Sequence, residues 1–187
     1  MSRLRTQLLF ALSGWASAMS VGCADEFVNW ANYLGDEARS HSSSLAQIDT
    51  TNVAQLQPVW EYKTGVFGEM QFNPLIIAGI LYGATGDAQI FALDADTGVE
   101  RWRFVPPGER SHQTLRGLAY WEEGNDRRIL CAVGPSLCAL DASTGRLIES
   151  FGDSGWVSLK AGLGDGAQDR WVMSTTPGTV FENFIIM

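Results

Sequence analysis

The stretch IFALDADTG at residues 90–98 returns 47 residues later as LCALDASTG at residues 137–145, with six of the nine positions identical. A period of this size, with short apolar runs between glycine turns, is typical of β-propeller blades and not of helical solenoids. In each copy the apolar residues predict a strand, the Asp accepts hydrogen bonds from the turn, and the Gly allows the positive φ at which the chain reverses. The repeat therefore predicts an all-β fold built of similar sheets.

Further strands are predicted on both sides of the first copy. The run at residues 99–104 alternates so that Trp102 and Phe104 share one face, which places Trp102 to pack between blades. The other predicted strands lie at residues 59–63, at 74–82 with a turn at 78–79, and at 179–186 with a tight turn. One helical turn is predicted to begin near Thr50 or Asn52.

The composition and net charge narrow the classes of protein to which the chain can belong. Of the 187 residues, 45% are hydrophobic and 18% are charged, and 20 glycines and seven tryptophans indicate a turn-rich core packed with aromatic side chains. The net charge of −8 repels phosphate backbones, so nucleic acid is not an expected partner.

The start of the chain reads as a targeting segment. Arg3 and Arg5 precede an apolar stretch at residues 8–18, and small residues follow. These features predict a signal peptide over residues 1–24 and a mature domain over residues 25–187.

Two alternatives for the targeting segment stay open. One is a retained membrane anchor, although the apolar run is shorter than the ~20 residues that span a bilayer. The other is lipidation of Cys23, which follows the small residues Val21-Gly22. With each alternative we expect the mature chain outside the cytoplasm, in an oxidising periplasm, and association with the membrane stays open.

The chain also carries a series of motifs in a specific order. They are Trp30 with Gly35-Asp36, residues 43–48, Asn52-Val53 with Leu56 and Trp60, residues 92–98 with Trp102, and RGLAYW at residues 116–121. In order and spacing they resemble the start of the pyrroloquinoline quinone (PQQ) dependent quinoprotein dehydrogenases, from about residue 30 to residue 187. The resemblance implies about three of the eight antiparallel, four-stranded blades of a quinoprotein-type propeller.

The resemblance also implies a cofactor site for PQQ, a flat quinone that bears three carboxylates. Arg116 matches the family's residue that pairs with the cofactor's oxygens, and a guanidinium suits a planar, polydentate anion. His112 matches a histidine near the quinone in the membrane glucose dehydrogenase branch. Thr175, with Thr176 as the alternative, matches a hydroxyl that contacts PQQ. Gln71 stands where the family commonly has a Glu, so it keeps hydrogen bonding but loses the charge, which predicts altered cofactor binding.

Other parts of the family's site are expected outside this chain. In the family a divalent ion, usually Ca²⁺, bridges PQQ to a Glu and an Asn, and an Asp acts as the base on the substrate hydroxyl. By resemblance these residues lie beyond residue 187, so no catalytic residue and no metal ligand is assigned within the chain. The sequence stops in a predicted strand, and we expect a fragment of a longer protein that is inactive alone.

The resemblance implies an oxidoreductase that oxidises a sugar, polyol or alcohol and passes electrons to a quinone or a cytochrome. The alcohol-oxidising branch has two adjacent cysteines near the cofactor, and their absence here favours sugars or polyols. The alternative is a non-catalytic propeller scaffold similar to outer-membrane assembly lipoproteins, which Cys23 favours slightly. The glycines at residues 83–86 lack the strand-to-helix context of a dinucleotide site.

Cys131 and Cys138 flank Gly134-Pro135-Ser136 in a predicted hairpin. A two- or four-residue loop would set the two cysteines directly opposite each other, within reach of a disulfide, whereas a three-residue loop would send them to opposite faces. Because Pro135 disfavours a two-residue turn, buried free thiols are the favoured prediction and a disulfide is the alternative. Metal ligation is not expected without further His or Cys at suitable spacing.

Overall fold

The computed structural model describes residues 28–108 and 113–187. These ranges hold ten strands and two 3₁₀ helices, at Val53–Gln55 and Asp165–Ala167. The strands are β1 (Leu75–Ile77), β2 (Ile80–Ala84), β3 (Ile90–Asp94), β4 (Glu100–Phe104), β5 (Ala119–Glu123), β6 (Asp126–Val133), β7 (Ser136–Asp141), β8 (Trp156–Ser158), β9 (Thr179–Phe181) and β10 (Phe184–Ile186). Every ladder between them is antiparallel, which confirms the predicted all-β class.

The strands form two complete four-stranded sheets and one hairpin. The first sheet has the order β1-β2-β3-β4 and the second has the order β5-β6-β7-β8, so each follows the chain. The hairpin β9-β10 lies against β5 of the second sheet, where the Trp121 indole donates to the carbonyl of Glu182 at 3.0 Å. These are the meandering sheets that the repeat predicts, in chain order.

The turn between β1 and β2 is where the sequence predicts it. Ala78 and Gly79 both have positive φ, of 49° and 74°, and Ile77 pairs directly with Ile80 across the turn. Two consecutive residues with positive φ are what a tight hairpin needs to match the twist of its strands.

The two copies of the repeat have the same internal structure. The Asp94 carboxylate accepts hydrogen bonds from the Thr97 amide at 3.2 Å and the Thr97 hydroxyl at 2.9 Å. In the second copy the Asp141 carboxylate accepts from the Thr144 amide at 2.8 Å and the Thr144 hydroxyl at 2.7 Å. The glycine that closes each copy has φ of 70°. Both predicted roles, the Asp acceptor and the left-handed Gly, are confirmed.

Each repeat turn also receives a tryptophan from the preceding part of the chain. The Trp60 indole N–H donates to the carbonyl of Ala95 at 3.0 Å, and the Trp102 indole N–H donates to the carbonyl of Ala142 at 3.0 Å. A Cβ atom added to the closing glycine of either copy would overlap the docked indole ring. The glycine is therefore needed twice, for its backbone conformation and for the close approach of the ring.

The core lies mainly between the two sheets. Ile90, Ala92 and Trp102 of the first sheet pack in one cluster with residues such as Ile129 and Leu140 of the second. A smaller cluster joins the other face of the second sheet to the β9-β10 hairpin. Because each sheet buries side chains on a neighbour, the sheets stabilise one another in series. Among the described residues no helix has the length and apolar character needed to cross a bilayer.

The prediction of a strand at residues 59–63 is wrong. The segment lies beside β4 but is attached through side chains: the Arg103 guanidinium donates to the carbonyl of Thr64 at 3.2 Å, and the Tyr62 hydroxyl donates to Glu100. No backbone ladder joins it to the sheet, so its resemblance to the end of a blade's strand did not indicate a strand here. The predicted helical turn is confirmed as the 3₁₀ helix that follows Asn52.

The prediction for the β6-β7 loop is also wrong. Val133 pairs with Ser136, so the loop is the two residues Gly134-Pro135. Gly134 takes φ of 53°, and the fixed negative φ of proline suits the position after it, so Pro135 does not prevent the tight turn. Cys131 and Cys138 are consequently direct partners in the ladder, and in the structure they are buried and unbridged.

We expect low pH to destabilise the turns at the ends of the two repeat copies, residues 90–98 and 137–145. Hydrogen bonds from Arg101 and Thr97 hold the pKa of Asp94 below its ordinary value of 3.8. Burial alone would raise the pKa of Asp141, but hydrogen bonds from neighbouring residues hold it below the same value. A lowered folded-state pKa contributes stability that is present above the unfolded pKa and is lost as the pH falls through the folded pKa.

We therefore expect the wild-type protein to lose stability between about pH 5 and about pH 2 more steeply than the Asp94→Asn/Asp141→Asn double variant. Urea unfolding across that range measures the difference. The control is Asp96→Asn, because the Asp96 carboxylate makes no hydrogen bond among the described residues. Parallel pH profiles for wild type and the double variant would contradict the assignment.

Candidate functional site

Three segments that precede the first strands of successive sheets meet at one end of the molecule. Asn73 lies just before β1, Arg116 just before β5, and Thr175 just before β9. The Asn73 amide donates to the carbonyl of Arg116 at 3.0 Å, and the Arg116 amide donates to the carbonyl of Thr175 at 2.8 Å. The backbone of Arg116 is thus held from both sides, by the segments that lead into the neighbouring sheets.

The side chain of Arg116 is exposed, in contrast to its fixed backbone. Within residues 28–108 and 113–187, no carboxylate or other group pairs with its guanidinium. An unpaired guanidinium on a rigid backbone is available to a planar anion from outside the chain.

The residue after Arg116 packs closely against two other parts of the chain. A Cβ atom on Gly117 would lie 2.8 Å from the Tyr33 ring and 3.2 Å from Cγ of Pro177. A larger residue at this position would clash with the Tyr33 ring and with Pro177, which lies two residues after Thr175. The Arg-Gly pair therefore combines a cationic side chain with the small residue that lets its neighbours approach.

The other predicted site residues have different placements. Gln71 is exposed and lies two residues before Asn73, so it is near the same end of the first sheet. Thr175 is half-buried and bonded to Arg116 through its carbonyl, whereas Thr176 is exposed and its carbonyl accepts from the Ser174 hydroxyl at 2.8 Å. His112 lies outside the described residues. The contacts of Gln71, His112, Arg116, Thr175 and Thr176 with a cofactor stay predictions.

Two residues near Arg116 were not identified from the sequence. Asn73 adds a side-chain hydrogen bond, from Nδ2 to the carbonyl of Arg116 at 3.4 Å, to the one from its amide. The Gln113 amide N–H donates to the carbonyl of Gly86 at 2.8 Å, while its side chain donates to the carbonyl of Ala132 at 3.1 Å and accepts from the Gly134 amide at 2.9 Å. Gln113 thus ties the segment that leads to Arg116 to hairpins of both sheets.

The missed residues act through backbone groups that are distant in sequence. Asn73 and Arg116 are 43 positions apart, and Gln113 and Gly134 are 21 apart. The only signal for Gln113 was its position beside the matched motif at residues 116–121. Among the described residues, no group of three His, Cys, Asp or Glu side chains is arranged to hold a metal ion.

Comparison with known proteins defines the class. The profile of the family described as "PQQ: Glucose/ethanol/alcohol dehydrogenase, beta-propeller domain" matches residues 30–187. The chain belongs to this family of PQQ-dependent dehydrogenase propellers.

Relatives of the chain act on several substrates, according to their names. It is 28% identical to the quinate/shikimate dehydrogenase (quinone) of Acinetobacter baylyi, over 82% of this chain and 23% of that protein. It is also 28% identical to the quinoprotein glucose dehydrogenase of Escherichia coli, over 85% of this chain and 23% of that protein. The chain thus spans less than a quarter of the length of these relatives.

Solved structures confirm the fold. Quinohemoprotein alcohol dehydrogenase from Comamonas testosteroni superposes with a TM-score of 0.71 at 24% identity, covering 84% of this chain and 22% of that one. A europium-containing methanol dehydrogenase superposes with a TM-score of 0.54 at 27% identity, covering 63% of this chain and 22% of that one. The two sheets and the hairpin are therefore consecutive parts of a quinoprotein-type β-propeller.

Proposed function

We propose that this chain belongs to an exported PQQ-dependent dehydrogenase that oxidises a sugar, polyol or alcohol and passes the electrons to a quinone or a cytochrome. The observation that carries the proposal is the exposed guanidinium of Arg116, which has no partner within residues 28–108 and 113–187, on a backbone bonded to Asn73 and Thr175. Family membership over residues 30–187 supports the reaction class.

The chemistry of the donor set fits the cofactor. PQQ is planar and carries three carboxylates, so its site requires a cation and neutral donors in fixed positions. Arg116 would supply the cation, Gln71 an amide, and Thr175 or Thr176 a hydroxyl, with His112 expected nearby. When bound, PQQ supplies the chemistry that these side chains lack, because it accepts two electrons from the substrate.

This chain's residues are assigned to binding and orientation. Arg116 would hold the anionic cofactor in a fixed position, because its own backbone cannot shift without breaking two inter-sheet hydrogen bonds. Gln71 contributes hydrogen bonding without the charge of the family's common Glu. We assign the Ca²⁺ ligands and the catalytic base to parts of the protein beyond this chain.

A sugar or polyol is the preferred substrate class within this proposal. The cysteines of the chain are Cys23, Cys131 and Cys138, so it lacks the adjacent pair that the alcohol-oxidising branch carries near the cofactor. The name of the glucose dehydrogenase relative agrees with this preference, and the quinate/shikimate relative indicates a cyclic polyol as a second candidate.

We place the protein in the periplasm on the basis of the predicted signal peptide at residues 1–24, with a lipid anchor at Cys23 as the alternative mode of attachment. Localisation outside the cytoplasm also suits an enzyme that delivers electrons to a membrane quinone or a soluble cytochrome.

The test uses the complete protein, purified without cofactor. We expect PQQ with Ca²⁺ to restore reduction of an artificial dye by glucose or a cyclic polyol, with slower reduction by short alcohols. Binding of PQQ is followed separately by quenching of tryptophan fluorescence. A folded protein that neither binds PQQ nor reduces the dye would overturn the proposal in favour of a non-catalytic propeller scaffold.

A further inference from the structure

Cys131 and Cys138 face each other across the central strands of the second sheet. They are paired in the β6-β7 ladder, on either side of a two-residue loop, so their side chains project from the same face. Directly opposed residues in an antiparallel pair have Cα atoms about 4.5 or about 5.5 Å apart, depending on the hydrogen-bond pattern. Both separations lie within the range of about 4.4 to 6.8 Å found across disulfides. The register therefore places the two Cα atoms at a separation that a disulfide can span.

The environment of the pair is apolar and closed. Cys131 is 1% exposed and Cys138 is fully buried, and both belong to the core between the first and second sheets. A hydrogen bond to Cys138, together with burial, raises the pKa of the Cys131 thiol well above its ordinary value. Because the thiolate is the reacting form, the pair reacts slowly once the sheets have packed.

We propose that Cys131 and Cys138 are a disulfide-forming site that staples β6 to β7. Each thiol loses a proton, one S–S bond forms, and the two electrons pass to a disulfide oxidant, which is reduced to two thiols by exchange. The first cysteine attacks the oxidant to give a mixed disulfide, and the second displaces the oxidant's remaining thiol. The bond forms during folding, before the first sheet covers the pair.

The disulfide would constrain the β6-β7 loop, to which the Gln113 side chain is hydrogen-bonded. Closure at residues 131 and 138 encloses the carbonyl of Ala132 and the amide of Gly134, the two groups that the Gln113 side chain holds. The staple therefore fixes the anchor point of Gln113, three residues before Arg116. The proposal does not depend on PQQ, so it stands or falls separately from the proposed function.

The test is oxidative refolding of the complete protein. Both cysteines lie on the tryptic peptide from Ile129 to Arg146, since Arg128 precedes it and the peptide contains no other basic residue before its end. After refolding with reduced and oxidised glutathione, we expect this peptide to be lighter by two hydrogen atoms and to accept alkylation only after reduction. After refolding with dithiothreitol alone, the same peptide accepts two alkyl groups under denaturing conditions.

Thermal unfolding distinguishes a disulfide that stabilises the fold from one that leaves its stability unchanged. We expect the oxidised protein to have a higher Tm than the reduced protein, because the unfolded chain is constrained. The Cys131→Ala/Cys138→Ala variant, which keeps the hairpin and removes both sulfurs, is expected to show the same Tm in both buffers. If the peptide remains fully alkylatable without reduction after oxidative refolding to the native state, the proposal is overturned. Equal Tm for oxidised and reduced wild type would also overturn the role as a staple.

Discussion

Replacing Trp102 with alanine is expected to destabilise the packing of the first sheet on the second by about 3 to 5 kcal/mol. Trp102 is 9% exposed, its ring lies on Gly145, and its N–H donates to the carbonyl of Ala142. The alanine variant leaves a cavity of indole size between two sheets whose backbones are fixed by their own ladders, so the site cannot collapse to fill it.

The measurement is the free energy of unfolding in urea, with Trp102→Phe as the intermediate variant. Phenylalanine keeps most of the buried ring but loses the indole donor, while the carbonyl of Ala142 still accepts from the Tyr82 hydroxyl at 3.2 Å. We expect its stability to fall between those of wild type and Trp102→Ala. The matched control is Trp171→Ala, because Trp171 is 83% exposed and its loss should change stability by about 0.5 kcal/mol or less. Equal effects of the alanine substitutions at residues 102 and 171 would contradict the docking role of Trp102.

Replacing Arg116 with alanine is expected to weaken PQQ binding by about 10- to 100-fold, the effect of losing charge-assisted hydrogen bonds. The fold should remain intact, since the contacts that hold this residue are made by its backbone, and alanine keeps both of them. Arg116→Lys restores the charge without the planar fork, so we expect it to recover part of the affinity.

Titration of the complete protein with PQQ, followed by fluorescence quenching, measures the affinities. The control is Arg146→Ala, because Arg146 is also exposed but lies at the opposite end of the second sheet, after β7. An Arg116→Ala protein with wild-type thermal stability and unchanged PQQ affinity would remove Arg116 from the site. An equal loss of PQQ affinity in the Arg146→Ala variant would indicate a general effect of net charge.

Most of the fold could be predicted from the sequence repeat at residues 90–98 and 137–145. Its Asp and Gly positions correctly predicted the turns, and the alternation at residues 99–104 correctly predicted the buried Trp102. These features are local, and their physical causes, a side-chain acceptor and a positive φ, are tied to residue type.

The errors came from features that residue type does not determine. Residues 59–63 resemble the end of a blade's strand in sequence, yet side-chain contacts to β4 hold them without a ladder. Pro135 by itself argues against a two-residue turn, but the preceding Gly134 with positive φ makes the proline compatible with it. In both cases the outcome depended on neighbours and backbone angles, not on the pattern alone.

The resemblance suggested side chains for the candidate site, and their cofactor contacts stay predictions: Gln71, His112, Arg116, Thr175 and Thr176. It did not suggest the backbone hydrogen bonds from Asn73 and to Thr175 that hold Arg116, nor the hydrogen bonds made by Gln113. Such contacts join residues from different sheets, so they follow from the packing of the sheets and have no short motif of their own.

The docking of tryptophans onto repeat turns bears on how the protein is made. Trp60 reaches a turn only 35 residues ahead of it, and Trp102 reaches one 40 residues ahead. Both contacts are therefore completed within short spans of newly emerging chain, and closing such loops costs little entropy. We expect the chain to assemble from its N-terminal side, with each new sheet packing on the previous one before the next has been synthesised.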